Sequence, residues 1–325
     1  MSGTEPAAAW TPAKIVTSAP PAGVRATYKA REVEEALDVC FYRPLGYVLA
    51  RVALRLGLTP NAVTLIGMVP GIVAGHFFYY RGPAPALIGA ALLVAAETFD
   101  SADGQLARMS GRYSDVGRIL DGLASNLIFV SIYIHLALRL APAWGIGAAL
   151  AAVVVSGASH SVQCAVADFY RNALLSMVGG GRAELDDARG VEARYRALEW
   201  TGDFVRKLLL RFYLDYTREQ EVLTRSFREL RRTVADAHPA GAPAWLGPAY
   251  RASAGPLIPY YNILTANTRM LGLCIAALVD RPELYLVLEI VVLNALLSIV
   301  LWRQSRANAR VTARARAELA PGVVM

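Results

Sequence analysis

Apolar runs long enough to cross a lipid bilayer restrict the fold of this chain more than any other feature. A membrane-spanning helix needs about 20 mostly apolar residues. Six such runs are present, at Asn61–Tyr80, Ala84–Thr98, Ile119–Leu138, Trp144–Ala167, Ile258–Val279 and Leu284–Trp302. Of the 325 residues, 55% are hydrophobic and only 18% are charged, which is not typical of a soluble domain. We therefore predict an all-α polytopic membrane protein with six transmembrane helices.

The basic residues predict the orientation of these spans, because Lys and Arg near span ends stay cytoplasmic. The connections on the outer side would hold Arg81, Arg139 and Arg281, so all but these three of the 33 Lys and Arg residues would be cytoplasmic. We expect a multi-pass protein of a bacterial-type inner (cytoplasmic) membrane with both termini cytoplasmic. Its net charge of +7 suits anionic membrane lipids as partners. No nucleic-acid-binding module is evident, so nucleic acid is not an expected partner.

The chain divides into five predicted regions. These are a disordered N-terminal segment (1–27), an interfacial helix with spans one to four (28–171), a cytoplasmic helical insertion (172–256), spans five and six (257–303) and a basic C-terminal tail (304–325). The first region lacks the basic start and apolar core of a cleaved signal peptide.

Helical periodicity marks two segments outside the spans. Between Tyr28 and Leu58, basic residues alternate with an apolar set at helical spacing, which predicts a helix in the membrane interface. Thr59 and Pro60 are the expected N-cap and first position of the first span. In the insertion, apolar residues keep a mostly helical period opposite a charged face, and we expect this block to dock on the membrane domain or on a partner. The apolar set is Val191, Tyr195, Leu198, Val205, Leu208, Leu209 and Phe212.

Three aspartates follow the second apolar run, which reaches span length only if its helix continues past Thr98. Asp100 and Asp103 are three residues apart and share a helix face, and Asp121 opens the next helix. Carboxylates at a membrane boundary are costly, and a hard divalent cation with oxygen ligands, Mg²⁺ or Mn²⁺, is the usual solution. The alternative is a solvated surface cluster with the neighbouring arginines Arg108, Arg112 and Arg118.

Seven positions around these acids form a fixed pattern, D-x2-D-G-x2-A-R-x8-G-x3-D. It is met by Asp100, Asp103, Gly104, Ala107, Arg108, Gly117 and Asp121. This pattern resembles the signature of the CDP-alcohol phosphotransferase (CDP-alcohol phosphatidyltransferase) family. These membrane enzymes transfer a phosphate-bearing group from a CDP-linked donor to an alcohol and release CMP. The six spans, the preceding interfacial helix and the segment "LTPNAVT" at Leu58–Thr64 are also similar to that family.

The resemblance implies roles for the signature residues. It implies that Mg²⁺ or Mn²⁺, in a suspected two-metal site, binds Asp100, Asp103 and Asp121. It implies that the nucleotide contacts Asp103, Gly104, Ala107, Arg108 and Gly117. It also implies a homodimer, and a CDP-linked lipid donor and a small alcohol as substrates.

Ser125 departs from the family signature, which has a fourth aspartate four residues after the third. In the family this aspartate is thought to help hold metal and to deprotonate the attacking alcohol. A serine hydroxyl is a poor base and a weak metal ligand, and loss of a general base costs about 10² to 10⁴ in rate. A metal-bound hydroxide, the substrate's own phosphate, or Glu97, one turn before Asp100, are the candidate replacements. The catalytic candidates are therefore Asp121, Ser125 and Glu97.

Polar residues inside later spans are candidates for binding the acceptor. Arg269 lies about ten residues into an apolar run and needs an anionic partner or a water-filled cavity. It is a candidate for holding the phosphate of a polyol phosphate, and the alternative is a side chain that snorkels to the interface. His160 is a second substrate candidate, or else a hydrogen-bonded helix residue. Glu289 and Asn294 are expected to bridge helices or subunits.

The sequence favours a transferase acting in phospholipid biosynthesis. The expected donor is CDP-diacylglycerol, and the acceptor is an alcohol such as a polyol or polyol phosphate. The first alternative is a catalytically impaired relative that binds nucleotide or lipid and acts as a regulatory or interaction protein. A transporter or scaffold with a fortuitous motif is the remaining alternative. Ser125 is the feature that favours the first alternative over the transferase.

Overall fold

In a computed structural model, the described residues are Gly23, 32–178, 185–239 and 241–319. Every regular element among them is helical, and together with the apolar helices this confirms an all-α polytopic membrane protein. The segment 1–27, for which the sequence predicts disorder, lies outside the described residues apart from Gly23.

Thirteen α-helices follow one another in the described residues. They are α1 (Arg43–Arg55), α2 (Pro60–Tyr79), α3 (Pro83–Ser110), α4 (Asp115–Trp144), α5 (Ile146–Val178), α6 (Ala188–Arg196), α7 (Phe204–Leu223), α8 (Arg225–Ala237), α9 (Leu246–Ala254), α10 (Ile258–Ile263), α11 (Ala266–Leu278), α12 (Glu283–Val287) and α13 (Leu293–Leu319). Wider π-helical turns at Asp38–Tyr42 and Leu288–Val292 lead into α1 and join α12 to α13.

Among the described residues, five helices are long and apolar enough to cross a membrane. They are α2, α3, α4, α5 and the continuous helix Glu283–Glu318. The remaining predicted span, Ile258–Val279, is divided between α10 and α11, so the predicted number of six is not confirmed. The division falls at Leu264 and Thr265, where the Thr265 hydroxyl donates to the Asn262 carbonyl at 2.6 Å and so competes with the helical ladder.

The chain forms two compact units. The first comprises the described parts of Met1–Gly157, Arg189–Leu214 and Met270–Leu286, and the second those of Ala158–Ala188, Asp215–Arg269 and Val287–Met325. Residues of the predicted insertion 172–256 are therefore shared between the two units.

Close approach of helices through small residues builds the first unit. The glycines Gly67, Gly71 and Gly75 on α2 are four apart, and a Cβ at Gly75 would lie 2.5 Å from Ser131 Oγ of α4. A core of buried residues joins α1, the start of α2 and the end of α3: Ala50, Ala53, Val63, Ala102, Leu106 and Met109. The glycine spacing is visible in the sequence as G-x3-G-x3-G, which is typical of closely packed transmembrane helices.

Helix α1 has one face of small, buried residues and another of large, exposed apolar residues. Gly46, Ala50 and Ala53 are buried against the protein, whereas the larger apolar residues Val48 and Leu56 are 63% and 70% exposed. The small residues thus allow close packing, and the large ones are available to lipid.

In the second unit, α8 and α9 pack against α13. Phe227, Leu230 and Val234 of α8 are buried, and on α13 Gln304 and Asn308 are also buried. Within the predicted basic tail, residues 304–319 continue α13. The reason is that its buried positions Gln304, Asn308, Val311 and Ala315 recur at helical spacing and form one face.

Candidate functional site

Helix α3 continues through the aspartates, so the second apolar run does reach span length. It ends where Gly111 adopts a left-handed conformation with φ of 65°. Ser114 then caps α4, accepting a hydrogen bond from the backbone N–H of Gly117 at 2.9 Å. Asp121 therefore lies in the second turn of α4, whereas the sequence placed it at the start of that helix.

Asp103 is held by a residue that the sequence analysis did not single out. The Thr64 hydroxyl, on the first turns of α2, donates to Oδ2 of Asp103. Both side chains are buried, at 7% and 6% exposure. Thr64 is the last residue of the Leu58–Thr64 segment, and Thr59, in the same segment, caps α2 by accepting from the N–H of Ala62 at 3.2 Å, as predicted. The segment thus starts α2 and positions a signature carboxylate.

The signature glycines lie where a side chain would meet other site residues. A Cβ at Gly117 would lie 2.8 Å from Oδ1 of Asn61, which also belongs to the Leu58–Thr64 segment. A Cβ at Gly104 would be 3.5 Å from Nη2 of Arg108. Ala107, which lies between Gly104 and Arg108 on α3, is half-buried. The space at Gly117 is therefore too small for any larger residue without displacing Asn61.

A small cavity, partly open to the outside, lies among α2, α3 and α4. Its lining includes Asp100 of α3, Ser125 of α4 and Thr64 of α2. The Ser125 hydroxyl donates to the backbone carbonyl of Asp121 at 3.3 Å. A ligand bound beside Asp100 would therefore contact Ser125. Without a ligand, the Ser125 hydroxyl is hydrogen-bonded to its own helix.

Arg108 carries unused hydrogen-bond donors. Its Nε and Nη2 atoms are buried, and neither has an acceptor among the described residues. A buried guanidinium with free donors is costly unless an anion or water accepts from it. A phosphate group is one anion that accepts from two such donors.

Glu97 lies on the same helix as Asp100 but is absent from the lining of the cavity. Burial raises the pKa of the Tyr42 phenol, and the carboxylates of Glu97 and Asp38 add to the rise. The role of Glu97 as a base stays a prediction.

The carboxylates have the oxygen chemistry of a Mg²⁺ or Mn²⁺ site. Among the described residues, however, no three His, Cys, Asp or Glu side chains are grouped closely enough to hold a metal ion. Asp100 and Asp103 share α3, but Asp121 lies on α4. The distance between the two helices determines how close the Asp121 carboxylate comes to the other two. Sequence spacing does not specify that distance. The metal roles of these aspartates stay predictions.

The substrate candidates His160 and Arg269 belong to a buried polar cluster in the second unit. Arg269 is fully buried, and its Nε donates to Glu289 Oε1 at 2.7 Å. Its other donors reach the Leu264 carbonyl, at the break between α10 and α11, and Gln163. His160 Nδ1 lies 3.9 Å from the same Glu289 oxygen. The snorkelling alternative for Arg269 is wrong, because the guanidinium has an anionic partner inside the protein.

Glu289 and Asn294 connect helices, as the sequence predicted. Gln163 of α5 donates to Asn294 Oδ1 of α13 at 2.9 Å, and Asn294 donates to Ser159 of α5 at 2.8 Å. The substrate roles of His160 and Arg269 stay predictions.

Comparisons with known proteins agree with the signature. Residues 57–176 match the model of the CDP-alcohol phosphatidyltransferase family, a range that runs from the turn before α2 almost to the end of α5. Over 83 residues the chain is 34% identical to archaetidylinositol phosphate synthase of Pyrococcus horikoshii. That alignment covers 26% of this chain and 43% of the relative, so the chain spans less than half of the relative's length. The predicted family resemblance is confirmed over the matched residues.

Proposed function

We propose that this protein is a membrane transferase that moves a phosphate-bearing group from a CDP-linked donor to an alcohol in phospholipid synthesis. The observation that carries the proposal is Arg108, whose buried Nε and Nη2 donors face no acceptor, on the same helix as Asp100 and Asp103. A cationic donor group beside carboxylates suits a pyrophosphate whose charge is shared between arginine and metal. The match of residues 57–176 supports the same class of reaction.

In the proposed reaction, an alcohol oxygen attacks the donor phosphorus that bears the transferred group. A new O–P bond forms, the bond to the bridging oxygen breaks, CMP leaves, and the alcohol proton passes to a base. Asp100, Asp103 and Asp121 would hold Mg²⁺ or Mn²⁺, which supplies positive charge against the pyrophosphate. Thr64 orients Asp103, and Gly117 allows Asn61 to pack closely against α4. Asp121 and Glu97 are the carboxylates proposed as the base, since Ser125 is a poor proton acceptor.

The proposed donor is CDP-diacylglycerol, and the proposed acceptor is a polyol or polyol phosphate. The relative's name supports an inositol phosphate among the candidates, because that protein is named for making archaetidylinositol phosphate. A homodimer and an inner-membrane location with cytoplasmic active site remain part of the proposal.

A second candidate function is nucleotide or lipid binding without turnover. The observation in its favour is that Ser125 lines the cavity beside Asp100 where the family signature has an aspartate. In this case the protein would act as a regulatory or interaction partner.

The deciding experiment is CMP release by the purified protein with CDP-diacylglycerol, Mn²⁺ and a panel of polyols and polyol phosphates. We expect CMP release with one acceptor and loss of Mn²⁺-dependent donor binding in Arg108→Gln. Arg112→Gln is the matched control, because Arg112 is exposed and lies outside the signature. Donor binding without CMP release would support the second function, and equal losses in both arginine variants would contradict both.

A further inference from the structure

Helix α7 has a second apolar face that the proposed site does not use. Leu209, Leu210 and Leu214 are buried against the protein. Phe204 and Phe212 are 58% and 52% exposed and lie on the opposite side by the helical period. Val205 and Trp200 extend this exposed face. Helix α7 is not among the helices that are apolar enough to cross a membrane, so a transmembrane position does not account for this face.

An ordered aromatic cluster stands at the start of this face. The Trp200 ring lies 5.8 Å from that of Phe204 and 6.4 Å from that of Tyr195, centroid to centroid. Lys207 Nζ lies 5.0 Å from the Tyr195 ring centroid and 5.2 Å from that of Trp200, and it donates to the Leu198 carbonyl at 2.7 Å. Trp and Tyr beside a basic residue are typical of the membrane–water interface, where the rings contact lipid and their polar groups contact water.

The first half of α7, residues 204–214, belongs to the first unit, and its position there matches that interface. Tyr213, next to Phe212, packs against Arg118, whose guanidinium carbon lies 5.4 Å from the ring centroid. Arg118 is in the first turn of the apolar segment Val116–Trp144 of α4. Tyr213 and the neighbouring residues of α7 therefore lie beside the first turn of an apolar segment long enough to cross a membrane.

Charge identifies the lipid class. Residues 188–214 contain six Lys or Arg and three Asp or Glu residues. Basic residues flanking an apolar face favour anionic headgroups. We propose that residues 195–213 form a membrane-surface element, with Trp200, Phe204, Val205 and Phe212 in the interface of a bilayer containing anionic lipid. This element lies outside the matched range 57–176, and it does not depend on the proposed activity.

Fluorescence quenching in the full-length protein tests the proposal. In nanodiscs whose lipids are brominated near the headgroup, we expect Trp200→Phe to remove a quenched component of the Trp emission. The matched control is Trp245→Phe, because Trp245 is held by Glu318 at 3.0 Å and by Arg314 and lies outside every candidate span. That substitution should remove an unquenched component. An unquenched Trp200 would overturn the proposal.

Spin labels distinguish contact of this face of α7 with lipid from contact with water or with protein. The three native cysteines, Cys40, Cys164 and Cys274, are replaced, and a label is placed at Val205→Cys or, as a control, at Arg206→Cys. At 205 we expect access to oxygen and exclusion of a water-soluble nickel chelate, and at 206 the reverse. Access of the chelate at 205 would mean a water-exposed face. Exclusion of both probes would mean cover by protein, such as a second copy. Either result overturns the proposal.

Lipid charge is tested in the same nanodiscs. We expect quenching of Trp200 to increase when phosphatidylcholine is partly replaced by phosphatidylglycerol. The increase should be lost in Arg206→Gln combined with Arg211→Gln. Quenching that does not respond to lipid charge would contradict the anionic preference.

Discussion

Ser125 and Asp100 line one cavity, and the two side chains differ in what they do to a proton. A carboxylate is ionised near neutral pH, so it can act as a base and bind a hard cation, whereas a hydroxyl does neither well. In this structure the Ser125 hydroxyl donates to the Asp121 carbonyl of its own helix. Compared with an aspartate at the same position, Ser125 therefore leaves the cavity with less negative charge and without a base at this turn of α4.

We expect Ser125→Asp to raise CMP release or to change its metal requirement. The substitution adds a carboxylate one helical turn beyond Asp121, beside Asp100, and so restores a ligand and a base. CMP release at several Mn²⁺ concentrations measures the effect, with Ser125→Ala as the control that removes the hydroxyl alone. Fast turnover of the unsubstituted protein that falls in Ser125→Asp would mean that the base lies elsewhere. Glu97 and His160 would then be the first residues to replace.

Thr64 offers a second residue-scale prediction. Replacing it by Val keeps the shape but removes the hydroxyl that donates to buried Asp103. An unsatisfied buried acceptor costs about 1–3 kcal/mol, and we expect Mn²⁺-dependent donor binding to weaken by about 5- to 150-fold. Calorimetric titration with CDP-donor measures this. Thr98→Val is the control, because the Thr98 hydroxyl bonds only the Val94 carbonyl of its own helix, at 2.7 Å. Equal weakening in both variants would mean that Thr64 has no specific role.

At the scale of helices, the approach of α2 to α4 determines whether the cavity exists. Gly71 on α2 packs against Ile128 on α4, and a Cβ on Gly71 would overlap the Ile128 side chain, whereas Gly67 packs against Phe99 of α3. The cavity residues Thr64 and Ser125 are carried by α2 and α4. Small residues on α2 therefore set the width of the site.

We expect Gly75→Ala to destabilise the protein by about 1–3 kcal/mol, since overpacking forces side chains or backbone to shift. The added Cβ would lie 2.9 Å from the backbone nitrogen of Ile132, which cannot move independently of α4. The thermal midpoint of the detergent-purified protein measures the loss. Gly147→Ala on α5, with open space at its Cβ, should be neutral or stabilising by at most about 1 kcal/mol. An unchanged midpoint in Gly75→Ala would contradict the close-packing account.

For the whole molecule, contacts within the first unit bring together the ends of three helices. Asp280, after α11, pairs with Arg139 near the end of α4 and lies 3.9 Å from Arg81, after α2. Arg139 also donates to the Phe78 carbonyl at 2.8 Å. These are the connections that the distribution of basic residues assigned to the outer side, and their contact supports a shared side of the membrane.

We expect a cysteine at Arg281 to react with a membrane-impermeant maleimide from outside intact cells. A cysteine at Arg112, between α3 and α4, should react only after permeabilisation. Both side chains are exposed, and both variants are made without the native cysteines. Protection of residue 281 in intact cells would mean that the α10–α11 segment does not cross the membrane, and the predicted six spans would be wrong.

The sequence by itself determined the features that depend on local spacing. Apolar runs predicted the four spans α2–α5 and the one that contains α13, because hydrocarbon requires a continuous apolar helix. The Thr59 cap follows from local hydrogen bonding, and the signature placed Asp100, Asp103 and Arg108 on one helix. The sequence also indicated that Arg269 needs an anionic partner, but it offered several partners.

Only the tertiary structure decided which distant residues meet. It paired Arg269 with Glu289, Thr64 with Asp103 and Arg139 with Asp280. It also showed that Ile258–Val279 is divided and that residues after 304 continue α13. The physical reason is that spacing along a chain specifies which residues share a helix face, whereas the distance between faces depends on how closely side chains from different helices pack. At this site, the glycines of α2 set that distance.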